Sequence, residues 1–190
     1  MKLSERLPDS VTVNGKRIRL NLEFRNVLRM LETLERRDMM PEAREYVAVK
    51  AICRHPRPGV LAEVVKLLFS NGKKTEPGAK VTSFEQDAPL IRAAFRQTYG
   101  IDLYREKLHW IEFSELLRGI PEGTRYAETI GIRVREMPAP TKYNAKEREW
   151  LAKAKAAVAL EIPEEERMQN YDRDVINIFR ALEARKKDVS

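Results

Sequence analysis

The chain has 190 residues, 43% of them hydrophobic and 34% charged, with a formal net charge of +7. That length supports one ordinary core, or one domain plus a partly independent helical tail, and the balance of apolar and charged residues excludes disorder throughout. No run approaches the roughly 20 apolar residues that cross a bilayer, MKLSERLPDS has no apolar stretch for a signal peptide, and the single Cys53 excludes an internal disulfide and reads as a small buried thiol.

Val11 and Val13 alternate with Thr12, and Asn14-Gly15 precedes Ile18 and Leu20. This predicts a β-hairpin with a type I′ turn, because Asn-Gly tolerates the positive φ needed at both central positions. A two-stranded ribbon is marginal in water and must lean on the helices that follow. Asn21 is placed to cap a helix in which Phe24, Val27, Leu28, Leu31 and Leu34 draw one apolar stripe. Pro41 suits the first turn of a second helix, running through Tyr46, Val49 and Ile52 to Cys53, and RHPRPG breaks it. A third helix, from about Val60 to Ser70, carries Leu61, Val64, Val65, Leu67, Leu68 and Phe69 on more than one side and reads as the central helix. Asn71-Gly72 ends it, and KKTEPGAKVT reads as an exposed loop that lacks the spacing of a phosphate-binding P-loop.

Ser83-Phe84-Glu85-Gln86 has the form of a capping box, starting a fourth helix with Ile91, Ala94, Phe95 and Tyr99 on its buried side and Gly100 as its stop. Asp102 is placed to cap a fifth, which contains Leu108, Trp110, Phe113, Leu116 and Leu117 and ends at Gly119. Thr124 opens a shorter sixth through Tyr126, Ala127 and Ile130. MPAPT, at 137–141, connects this body to a charged tail of two amphipathic helices. The first carries Trp150, Leu151, Ala154 and Val158, and the second, from near Pro163, carries Met168, Tyr171, Val175, Ile178, Phe179 and Leu182. The expected fold is mainly α: a helical body of about six helices with an N-terminal β-hairpin and a C-terminal pair of amphipathic helices, divided into 1–136 and 137–190.

The net charge and a pI near 9.5 invite a nucleic-acid reading. Acidic residues nevertheless interrupt nearly every basic group, as in RRDMMPEARE and EARKKDVS, a pattern that fits solvated helix faces better. His55 and His109 are far apart and neither sits in a metal-ligand spacing; His55 reads as an exposed turn residue and His109 as a helix residue at the edge of the core. GxSxG and glycine-rich nucleotide fingerprints are missing, and Glu164-Glu165-Glu166 suits the positive end of a helix dipole. Phe84, Phe95, Tyr99, Trp110 and Phe113 recur at helical spacing, which favours core packing over base stacking. Neither a catalytic residue, nor a cofactor, nor a metal is expected.

One block is distinctive: Ser83-Phe84-Glu85, Ala93-Ala94-Phe95, Tyr99-Gly100-Ile101-Asp102-Leu103, Leu108-His109-Trp110 and Phe113. The run SFEQDAPLIRAAFRQTYGIDLYREKLHWIEFSELLRGIPEGTRYAETIGIRVREM that contains them resembles the signature block of the phage tail-module family of gene product fifteen. LPDSVTVNGKRIRLNLEFR, FSNGK and AKEREWLAKAKAAVAL extend the resemblance to about residue 160. It implies a gene in the tail cassette of long-tailed phages and prophages, and work in the cytoplasm of the bacterial host.

Proteins in that genomic slot often act as assembly chaperones that coat the tape-measure protein, and the resemblance carries no catalytic residues with it. Tape-measure or another tail protein is thus the expected partner, with no membrane and with nucleic acid disfavoured. The expected contacts, on a groove where body meets tail, are Trp150, Leu151, Phe179 and Leu182. A structural tail component is the alternative, a basic nucleic-acid-binding helical protein the weaker one. Two amphipathic tail helices leave self-association open.

Overall fold

The computed structural model describes residues 4–69 and 81–161. The loop expected after Asn71-Gly72, the acidic run at 164–166 and the second tail helix lie outside the described residues. The chain divides into two compact units, one ending at Arg135 and the other beginning at Glu136.

In the first unit, β1 (Ser10–Val13) pairs antiparallel with β2 (Lys16–Arg19), with Val11 opposite Ile18. Asn14 at φ 49 and Gly15 at φ 72 form the expected turn. Among the described residues six helices follow: α1 (Phe24–Glu35), α2 (Pro41–Ile52), α3 (Val60–Phe69), α4 (Ala88–Tyr99), α5 (Trp110–Arg118) and α6 (Arg125–Val134). The second unit contributes α7 (Ala145–Val158). The described protein is mainly α, as the periodicity predicts.

The core is one cluster built around stacked rings. Phe113 of α5 lies 4.7 Å from Phe24 of α1 and 5.3 Å from Phe95 of α4, both nearly parallel to it, while Trp110 and Phe84 close the edges. Val27, Met30, Val49, Ile52, Val60, Val64, Ile91 and Ala94 fill the space around them. The five aromatic residues of the distinctive block are thus packed in or against the core, and Cys53 is buried.

Helix α3 departs from its expected central role. Only its Val60/Val64 side is fully buried, leaning on β1, while Val65 and Phe69 are 42% and 40% exposed. Gly59 brings α3 close to the hairpin: a Cβ there would meet Val13 Cγ1 at 3.4 Å. Leu61, Leu67 and Leu68 pack only partly buried against the same core, and Phe69 reaches the Trp110 ring edge-on at 5.9 Å, so α3 flanks the core and does not run through it. The centre belongs to α5, whose Phe113 touches four other rings.

The helix starts differ most from expectation. Asn21 does not cap α1; Glu23 is its N-cap, and Asn21 Oδ1 accepts from the Glu23 N–H one turn earlier in the chain. Ser83 Oγ does accept from Gln86 N–H at 3.2 Å, but in a turn that precedes α4, whose N-cap is Asp87. The N–H of Ser83 goes to Asp87 Oδ2 at 2.9 Å, so Asp87 makes the return bond expected of Gln86. Asp102 organises the turn at 102–106, accepting from Tyr104 N–H, and His109 caps α5. Gly100 stops α4 with φ 69. Gly119 is required small: a Cβ would lie 2.9 Å from the Tyr99 hydroxyl, which donates to Leu116 carbonyl at the end of α5.

Thr124 caps α6 as predicted, accepting from Ala127 N–H at 3.2 Å while buried. Thr124→Ala removes this acceptor and is expected to cost about 1 kcal/mol. An unchanged urea midpoint would contradict the cap.

Candidate functional site

Two polar systems and a groove stand out among the described residues of the first unit. The first system joins the start of α4 to the end of α6. Arg133 donates to both oxygens of Asp87 at 2.7 and 2.8 Å, and also to Val81 carbonyl. Asp87, 2% exposed, further accepts from Ser83 N–H and the Thr82 hydroxyl, which lies 3.3 Å from the Tyr126 hydroxyl. Burial works to raise the Asp87 pKa. The hydrogen bonds and charge of Arg133, with those of Ser83 and Thr82, outweigh it and hold the carboxyl below its ordinary value. A carboxylate fixed on an arginine and saturated with donors is a structural clamp, not a proton carrier.

The second system is an extended path from 16 to 24 that continues β2. Leu20 N–H donates to Asp9 carbonyl, Phe24 N–H to Leu108 carbonyl, and Trp110 N–H to Leu22 carbonyl, so the even-numbered residues face β1 and then the 108–110 segment. His109 sits on that line. Its Nδ1 accepts from Ile111 N–H at 3.2 Å, which places the proton of the neutral ring on Nε2, 3.0 Å from Pro8 carbonyl. The imidazole thereby ties the hairpin to the start of α5.

The odd-numbered residues of the path face the other way. Asn21 N–H reaches Ile52 carbonyl at the end of α2, closing that edge. Before it, the edge of β2 borders an open groove of about 1190 Å³. Six cationic residues line it (Lys16, Arg17, Arg19, Arg54, Arg57 and Lys107), against two carboxylates, Asp9 and Glu23. Both carboxylates are engaged, Asp9 by Arg17 and Glu23 by Arg25. Among the described residues none is within ion-pair distance of Lys16, Arg19, Arg54, Arg57 or Lys107. The groove is therefore electropositive, with Ile18, Leu20, Leu22, Ile52 and Leu108 supplying an apolar floor.

The family model described as Bacteriophage Gp15 protein matches residues 3–160 of this chain. The chain belongs to the bacteriophage Gp15 protein family. No curated protein and no solved structure matches it. The match ends two residues after α7, so in this Gp15-family protein it takes in all the described elements.

Of the four sequence-predicted contact residues, Trp150 and Leu151 lie in the described part of the chain. Trp150 is 57% exposed on α7, whereas its neighbour Leu151 is the buried residue of that helix. Consecutive helical positions point about 100° apart, which lets one side chain be buried while its neighbour is exposed. Phe179 and Leu182 lie outside the described residues. His55, read as an exposed turn residue, borders the groove. The groove's cations escaped the charge reading because that reading weighed runs of sequence, and these six come from three segments. A signal was present in KRIR directly after the Asn-Gly turn: a strand with cations on both faces is ill suited to burial and marks an edge. Among the described residues, no group of three or more His, Cys, Asp or Glu is placed to hold a metal, and no helix is long and apolar enough to cross a membrane.

Proposed function

We propose that this Gp15-family phage protein is a non-catalytic tail-morphogenesis factor, an assembly chaperone that holds the tape-measure protein in the host cytoplasm until the tube encloses it. The observation that carries the reading is the division of labour among polar side chains. Asp87, Arg133 and His109 are spent on tying elements together, while the groove beside β2 and the exposed Trp150 face outward. Such surfaces suit a partner better than a small substrate.

A tape-measure protein is long and helical, and its apolar stripes aggregate before assembly. A small basic holder lowers that risk by covering part of the surface, and several copies on one chain add avidity without high affinity per copy. Co-expression tests this: the tape-measure protein of the same phage becomes soluble and co-purifies with this chain. Unchanged insolubility, or abundant copies of this protein in finished particles, would overturn the chaperone role, the latter in favour of a structural tail component.

A further inference from the structure

The edge of β2 that borders the electropositive groove is an unfinished sheet. In a hairpin closed by a two-residue turn, Lys16, Ile18 and Leu20 exchange main-chain hydrogen bonds with β1 and its extension, and Arg17 and Arg19 turn theirs outward. Among the described residues no main-chain group meets the N–H or C=O of either arginine. Asn21, the next outward residue, is already taken by Ile52 carbonyl. The open stretch thus lies between Gly15 and Asn21, and a strand laid there would be about five residues long.

We propose that this edge receives an extended acidic segment of a partner protein as a third strand, its main chain bonded to Arg17 and Arg19. The segment's chemistry follows from the surroundings. Side chains alternate across a sheet, so those of Arg17 and Arg19 share one face and Ile18 and Leu20 the other. The added strand therefore alternates carboxylates, set beside the arginines, with apolar residues set over the floor formed with Ile52. A helical segment satisfies its own main chain and gains nothing from the edge. A nucleic acid would answer the charge but leave the four outward main-chain groups unpaired, which favours a peptide.

This inference rests on the reading of the protein as a holder of another protein, and specifies one contact of it. The probe is a seven-residue peptide alternating glutamate and valine with blocked ends, titrated into the full chain. Expected results are slowed exchange of the Arg17 and Arg19 amides, and binding that survives N-methylation of one alternate set of peptide amides but is lost on methylation of the other. The double variant Arg19→Glu/Arg54→Glu weakens binding about tenfold. Because both side chains are exposed, its circular dichroism matches wild type.

Binding without amide protection, equal tolerance of both methylated sets, or tighter capture of a single-stranded oligonucleotide of the same charge overturns the added strand. Should the tape-measure protein co-purify equally with wild type and the double variant, the edge is not the contact while the chaperone reading stands. If the peptide binds as described and the tape-measure protein stays insoluble, the partner was misassigned and the edge stands.

Discussion

Replacing Arg133 by methionine is expected to destabilise the protein by about 3–5 kcal/mol, measured by urea unfolding at neutral pH. Methionine keeps much of the aliphatic volume but strands the Asp87 carboxylate, which is 2% exposed and would retain only Ser83 N–H and the Thr82 hydroxyl as donors. The cost is that of an uncompensated buried charge, not of a lost surface pair. Asp87→Asn in the same background removes that charge while keeping an acceptor for Ser83, and so recovers part of the loss. A purely additive double variant would show that the two side chains do not act as one clamp.

The same pair sets an acid limit. Asp87 has a lowered pKa in the folded protein, so the unfolded chain binds the proton more tightly. Its contribution is fully present above the ordinary value of 3.8 and is lost as the pH falls through the lowered folded pKa. In the Asp87→Asn variant the melting temperature should fall less steeply with acid below about pH 4.

The hairpin, the six helices of the first unit and the aromatic core were legible because each is a local pattern: a turn dipeptide, a spacing, a stop signal. Legibility failed where a residue's partner lies far along the chain. Asp87 looks from sequence like one more acidic residue after a capping box, and only folding brings Arg133, 46 positions on, against it. His109 has the same history, since its role depends on Pro8, 101 positions away. The groove is a third case, assembled from the hairpin, the end of α2 and the approach to α5. Residues 145–158 show a subtler limit: the apolar stripe of α7 was visible, but not that Leu151 would be buried and Trp150 left outside.

Truncating Phe113 to alanine should cost about 3–5 kcal/mol and lower the melting temperature by roughly 10 °C. The ring is 2% exposed and lies within 6.2 Å of four others, contributed by α1, by the turn before α4, by α4 and by α5 itself. Its removal opens a cavity that none of these elements can fill alone, because each is fixed by a bond outside the cluster. Phe24 N–H is held by Leu108 carbonyl, Trp110 N–H by Leu22 carbonyl, and the start of α4 by Arg133. Little collapse is therefore available, which places the cost in the upper part of that range. Phe113→Leu leaves a smaller void and should lose less, while Trp150→Ala, at a 57% exposed position, should stay within about 0.5 kcal/mol of wild type. A Phe113→Ala loss no larger than that of Trp150→Ala would move the centre of the core away from α5, and with it the rigid frame that holds the β2 edge open.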